Sequence, residues 1–239
     1  MLKSRIYMNK TYLILIICAL FLASCKSQYV VKGTSNVDEL EGKMLTLKVF
    51  SGDDLQSIDS ARVVHGKFSF GGKMDSTMLA NLFFGDLSIM PLVLEEGDVI
   101  LNINETQQSV TGTPLNDSLS SFIQSKAQLD ARMAELPHME SQMIMDGKDY
   151  DEVVLELGQL TQELMEENDQ LVTRFIRDNY NNVLGPGMFM ILTNDNPYPA
   201  LDPQIEEIIT HATPYFLGHP YVKEYIRVAR ENTEKELQF

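Results

Sequence analysis

The sequence predicts an α+β protein, with an N-terminal antiparallel β-sandwich followed by a helical hairpin and short C-terminal helices. Three observations predict it. Residues 28–113 hold seven or eight short apolar runs separated by turn residues, the spacing of a sandwich. At Gly112-Thr113-Pro114 the apolar period lengthens to three and four residues, which marks amphipathic helices. Two such stretches meet at Gly147, and long amphipathic helices joined by a short loop pack antiparallel. The expected organisation is an export signal over 1–24, the sandwich over 25–113 and a helical region over 114–239.

The strands follow in order. Tyr29-Val30-Val31 opens the first. Met44, Leu45, Leu47, Val49 and Phe50 make a second, and Ser51-Gly52-Asp53-Asp54 turns the chain. Ser57 to Val64 and Lys67 to Phe70 flank His65-Gly66, which reads as a two-residue hairpin turn because glycine tolerates positive φ. Phe68 and Phe70 alternate with Lys67 and Ser69, as in a half-buried strand. Thr77 to Phe84 and Ser88 to Leu94 are more uniformly apolar. Glu95-Glu96-Gly97-Asp98 turns into Val99 to Ile103, and Ser109-Val110-Thr111 closes the set.

The helices carry their own start and stop signals. Thr113 is a fitting N-cap, Pro114 suits the first helical position, and Asp117 falls in the first turn, where the dipole favours an acid. Leu115, Leu119, Phe122, Ile123, Leu129 and Met133 share one face. Pro137 is expected to kink or end this helix. Asp149, with Glu152 three residues on, caps a second helix. Its stripe runs Val153, Leu157, Leu160, Leu164, Asn168, Leu171, Phe175, and Arg174 and Arg177 close it. A short helix is expected over Met188 to Leu192, a loop over Asn194 to Pro199, and further helices from Pro203 to about His211 and from Pro220 to about Glu234.

The N-terminus places Lys3, Arg5 and Lys10 before an apolar run from Tyr12 to Ala23. Twelve residues fall well short of the ~20 that span a hydrocarbon core as a helix, and a basic start with a short apolar stretch is an export signal. Leu22-Ala23-Ser24-Cys25 resembles the lipobox of bacterial lipoproteins, in which the cysteine is acylated and the chain is cleaved before it. Cys25 is therefore the expected lipidation site, and the lipid bilayer the expected partner. One acyl chain binds a membrane only marginally, so stable anchoring needs two or more. Lys26-Ser27-Gln28 after the cysteine favours an outer-membrane position facing the periplasm. Cys18 and Cys25 are the two cysteines. Cleavage removes the first and acylation consumes the second, which excludes thiol redox and cysteine-nucleophile chemistry. Loss of the three leader cations takes the net charge from −15 to −18, which excludes a nucleic-acid partner.

No motif carries catalysis. There is no glycine-rich phosphate loop and no G-x-S-x-G elbow. His65, His138, His211 and His219 are isolated in sequence, without zinc-ligand spacing. His138, Met139, Met143 and Met145 would suit Cu(I), but methionine at a helix contact is more often a core filler. Asp146, Asp149, Asp151 and Glu152 fail the calcium-loop spacing. Asn194-Asp195-Asn196 reads as a turn, and Glu95 and Glu96 as acids at a hairpin tip. No catalytic residue, metal ligand or cofactor is expected.

Ile58-Asp59-Ser60, Gly66-Lys67-Phe68-Ser69-Phe70, Leu94-Glu95-Glu96-Gly97 and Gly112-Thr113-Pro114-Leu115-Asn116 together resemble a domain of unknown function. That domain lies at the N-terminus of bacterial lipoproteins related to thiol–disulfide oxidoreductases of the TlpA and ResA type. Asn182 to Gly187 and His219-Pro220-Tyr221-Val222-Lys223 are similar to the segment that follows it, so the likeness runs from about Gln28 to Glu234. In that family a thioredoxin-like domain with a C-x-x-C pair comes next. This sequence stops at Phe239, so no catalytic residue of the family carries over. The resemblance implies a non-enzymatic, extracytoplasmic binding or scaffold module, possessing an envelope protein partner. Two alternatives are an auxiliary subunit of a separate thioredoxin-like protein and a carboxylate-dependent hydrolase with a site between the halves.

Overall fold

The computed structural model describes residues 27–51, 54–194 and 196–236. The leader, Cys25, the Gly52-Asp53 turn and Asp195 lie outside them. Eight strands form: β1 (Gln28–Ser35), β2 (Met44–Ser51), β3 (Asp54–Arg62), β4 (Lys67–Lys73), β5 (Met78–Phe84), β6 (Leu87–Leu94), β7 (Gly97–Ile103) and β8 (Gln108–Thr111). They build two four-stranded sheets, ordered β4-β1-β7-β8 and β3-β2-β5-β6. The α+β fold and the two-sheet sandwich expected from sequence are both present. All pairings are antiparallel except β1 with β7, which run parallel.

The chain switches sheets four times, between β1 and β2, β3 and β4, β4 and β5, and β6 and β7. His65-Gly66 does form the expected two-residue turn, with φ of 52° and 67° and a bridge between Val64 and Lys67. Its flanking strands part company, however: β3 pairs with β2 and β4 with β1. The turn is a corner rather than a hairpin end. The Glu41 carboxylate accepts the backbone N–H groups of His65 (2.9 Å) and Gly66 (3.0 Å), and these bonds hold its pKa below the ordinary value. The last switch is at Glu95-Glu96, between β6 and β7.

The two sheets face different neighbours, which explains their different sequence patterns. The inner face of the first sheet buries Tyr29, Val31, Phe68, Phe70, Val99, Leu101 and Ile103. Its outer face meets solvent and carries the Lys32–Asp98 ion pair (2.7 Å) and a Thr34 hydroxyl donating to Asn102 (2.7 Å). Strict alternation follows. In the second sheet Leu45, Leu47, Ala80, Leu82 and Leu92 fill the sandwich core, while Val93 on the opposite face is also fully buried. Helices cover that face, so β5 and β6 read as nearly continuous apolar runs.

Six helices follow: α1 (Pro114–Met145), α2 (Tyr150–Asp178), α3 (Leu184–Thr193), α4 (Pro203–Thr210), α5 (Pro214–Gly218) and α6 (Pro220–Glu236). None is long and apolar enough to cross a membrane among the described residues. Asp149 caps α2 by accepting the Asp151 N–H, and Asp202 caps α4 through the Ile205 N–H.

Three features differ from the elements expected. α1 does not end at Pro137 but runs 32 residues through it. Pro137 is exposed, so the carbonyl that loses its N–H partner can turn to water while α2 supports the helix from the other side. α3 begins at Leu184, not Met188, and absorbs Gly185-Pro186-Gly187. The proline falls in the first turn, where its missing N–H costs nothing. Gly187 is there for close approach: a Cβ on it would lie 2.4 Å from Leu79 Cδ2. Last, the short α5, capped by Thr213 accepting from the Phe216 N–H, was not expected from sequence.

Aromatic packing knits the helices together. Phe122 and Phe175 stack at 4.2 Å across α1 and α2, while Phe189 meets Phe216 (5.5 Å) and Tyr225 (5.4 Å) edge-on. Such pairs contribute about 0.5–1.5 kcal/mol each beyond area burial. Sandwich and helix side chains belong to one continuous core.

Candidate functional site

The helical region is locked to the sandwich by one polar clamp. Asn116, in the first turn of α1, has no solvent exposure. Its Oδ1 accepts the Val93 N–H (2.8 Å), and its Nδ2 donates to the Val93 carbonyl (2.8 Å) and to Thr113 Oγ1 (2.8 Å). The amide thus imitates a neighbouring strand for β6, the edge of the second sheet. Glu95 Oε1 accepts the N–H groups of Leu115 (3.0 Å) and Asn116 (3.3 Å). Thr113 sits at the N-cap position as expected, but its side chain makes no capping bond. Glu95 caps the helix from the sheet, with its charge where the helix dipole favours it.

This clamp sets a cleft between the outer face of β5–β6 and the helices. Leu79, seated on Gly187, divides it into two pockets of about 350 and 340 Å³, within the size range of small-molecule sites. Phe50, Met78, Met190, Tyr215, His219 and Tyr221 define the first pocket. Phe122, Lys126, Asn168, Met188 and Ile191 mark the second, which is almost wholly apolar. Among the described residues, neither is lined by a carboxylate, a serine or a cysteine.

Each pocket is lined by one residue with an unpaired buried polar atom. His219 Nδ1 and Asn168 Oδ1 are the two buried side-chain polar atoms without a hydrogen-bond partner among the described residues. The His219 backbone is fully engaged: its N–H donates to Phe216 O (3.1 Å) and its carbonyl accepts the Lys223 N–H (3.0 Å). The backbone at His219 is therefore fixed between α5 and α6. Burial holds the ring's pKa below the ordinary histidine value, so the imidazole is neutral at pH 7. Asn168 donates from Nδ2 to Asp169 Oδ1 (3.3 Å), while its Oδ1 accepts nothing. Other polar groups nearby are satisfied: Tyr221 pairs with Thr193 Oγ1 (2.9 Å), and Lys126 with Asp130. Native proteins leave few buried polar atoms unpaired. Two such atoms belong to residues lining the two pockets of this cleft, which makes it the candidate ligand site of the fold.

A larger cleft of about 610 Å³ lies between α2 and α4. Its groups serve one another: Arg177 pairs with Glu207 (2.8 Å), and Gln204 donates to Thr173 Oγ1 (3.1 Å). It offers no unsatisfied buried atom among the described residues.

The residues weighed from sequence do not assemble elsewhere. His138 is exposed and lies 4.0 Å from Glu135, and Met145 points into solvent at the end of α1, while Met139 and Met143 are half-buried. His65 and His211 are exposed. No group of three His, Cys, Asp or Glu side chains is placed to hold a metal among the described residues. Asn196 accepts the Tyr198 N–H (3.0 Å), as a turn residue does. Cys25, the expected lipidation site, lies outside the described residues.

Sequence reasoning missed the clamp and both unpaired atoms. Asn168 did leave a signal, as the one amide in an otherwise apolar stripe. His219 left none, because its burial depends on helices that close over it from distant parts of the chain.

The clamp residues Glu95, Thr113 and Asn116 fall within one recognisable unit. Residues 29–119 match the family model of DUF4369, a domain of unknown function. The DUF4369 match takes in the whole sandwich and stops in α1, just past the clamp. No curated protein matches the chain. One solved structure, described as the crystal structure of (S)-allantoin synthase, is similar at 12% identity with a TM-score of 0.27. That likeness covers 37% of this chain and 45% of the other, so the chain spans under half of its length. A similarity this low carries no argument about fold or function.

Proposed function

We propose that this chain is a non-enzymatic, lipid-anchored binding module of the bacterial cell envelope. Acylated Cys25 holds it at the membrane, facing the periplasm, and the cleft between the DUF4369 sandwich and the helices takes an apolar ligand bearing a hydrogen-bond donor. The observation that carries this reading is the pair of unpaired buried atoms, His219 Nδ1 and Asn168 Oδ1, on residues that line two pockets with mainly apolar walls. The lining favours binding over turnover, since among the described residues the neutral imidazole has no carboxylate, serine or cysteine beside it to complete an acid–base or covalent pair. It likewise offers a carboxylate-dependent hydrolase nothing to work with. The anchor rests on Leu22-Ala23-Ser24-Cys25 and on the resemblance to TlpA- and ResA-type lipoproteins.

Every buried residue of the described fold lies at Tyr29 or later, so a soluble chain beginning at Ser27 retains the cleft. N-phenyl-1-naphthylamine, an apolar fluorophore with a single N–H donor, is a suitable probe. Titration should give a saturable rise in fluorescence, and His219→Leu or Asn168→Leu should weaken it several-fold by removing the acceptor. A flat titration, or affinity indifferent to both substitutions, rejects the reading.

A further inference from the structure

We propose that the tip of the α1–α2 hairpin is a second, separate docking surface, and that its occupant is a cationic amphipathic segment of a protein partner. The root of the hairpin packs on the sandwich through Leu119, Phe122, Val172 and Phe175. Beyond Leu129, no further residue of α1 is buried. Sixteen residues remain to Met145, about 24 Å of helix at 1.5 Å per residue. Only Val153 and Leu164 are buried on the facing stretch of α2, and both stand apart from the main core.

A two-helix projection buries one stripe per helix and leaves the rest to solvent. Here the solvent side of the tip carries large apolar groups among its charges: Met145 is 85% exposed, Leu155 64%, Tyr150 62%, Val154 50% and Ile144 46%. Tyr150 and Val154 lie one turn apart on one face of α2. Exposed large apolar groups gathered at one end of a monomer mark an interaction site.

Charge decides what covers them. From Glu140 to Glu156 the chain has six carboxylates and one lysine, a net charge of −5 within a total of −15. That lysine, Lys148, is paired with Glu156 at 2.6 Å. A second copy would bring two −5 tips together, and an anionic bilayer would repel the tip in the same way. A helix with an apolar stripe flanked by lysine or arginine satisfies both features at once: its stripe covers the face of Tyr150 and Val154, and its cations meet the surrounding carboxylates.

The test uses the full-length protein in nanodiscs of zwitterionic phosphatidylcholine, with empty nanodiscs as control. The probes are a 20-residue Lys/Leu amphipathic helix and its Glu/Leu counterpart, read by biolayer interferometry. The wild type should bind the first and not the second. The decisive variant is Met145→Glu with Tyr150→Glu and Val154→Glu, which removes the apolar face while adding three negative charges. Docking on that face predicts at least a tenfold loss of affinity despite the extra charge; circular dichroism should show the fold intact, since all three side chains are exposed. Unchanged or tighter binding would mean simple charge attraction and would overturn the proposal. So would failure of the wild type to bind, a dimer in mass photometry that the variant abolishes, or binding to phosphatidylglycerol vesicles that the variant abolishes.

Discussion

Truncating the clamp by Asn116→Ala should loosen the joint that shapes the cleft. The substitution leaves the Val93 N–H and carbonyl without partners at a residue with no solvent exposure. Each buried group stripped of its hydrogen bond costs about 1–3 kcal/mol. Two of them, with the small void left behind, give an expected loss of about 3–5 kcal/mol, a large part of the ~5–15 kcal/mol typical of whole proteins. Urea unfolding of the chain beginning at Ser27 measures it. With a slope of about 3 kcal/mol per molar, the midpoint should fall by roughly 1–1.5 M. A fall below about 0.3 M would refute the assignment of Asn116 as the clamp. Asn116→Asp adds a control on sign. The new carboxyl would face the Val93 carbonyl and the Glu95 carboxylate in a buried site, so its folded pKa lies above the unfolded ~3.9. The folded state then binds the extra proton, and this variant should lose stability as pH rises above about 4 and recover part of it in acid.

Burial lowers the folded pKa of His219, so the unfolded chain binds the proton more readily. That contribution to stability is complete above the unfolded value near 6.5 and declines as pH falls below it. His219→Gln should flatten this part of the unfolding midpoint–pH curve, and probe binding should weaken over the same acid range. Gly187→Ala forces a methyl to within 2.4 Å of Leu79 Cδ2 and should cost about 1–3 kcal/mol by thermal or urea unfolding. Leu79→Ala in the same chain should return most of that loss, and additive costs would contradict the contact. Cys25→Ser should abolish incorporation of an alkyne-palmitate label and shift the protein from the membrane pellet; continued labelling would place the lipid elsewhere.

The sandwich was legible because its turns and strand periods are local. His65-Gly66 announced a turn through residues that tolerate positive φ, and Phe68 and Phe70 announced an inward face. The same local signals could not say which strands the turn joins. That depends on β1 pairing with β4 on one edge and with β7 on the other, a choice made by residues far apart in sequence. Gly185-Pro186-Gly187 read as punctuation, because proline and glycine usually end helices. In the folded chain they open α3, since the sheet comes close enough at Leu79 to exclude a side chain. Glu95 read as a loop acid and serves as a helix cap from another layer. The cleft was hidden for the same reason: Met78, Asn168, Met188 and His219 come from separate elements, and each alone resembles ordinary core or surface.

Ligand residence in the cleft is tested most directly by methionine-methyl NMR of the chain beginning at Ser27, titrated with N-phenyl-1-naphthylamine. Met78, Met188 and Met190 line the two pockets, whereas Met44 and Met145 are exposed outside them. Binding in the cleft predicts that the first three methyl resonances move together and saturate while the other two stay fixed. Movement of Met44 or Met145 with the cleft methyls silent, or no saturable movement at all, would contradict it.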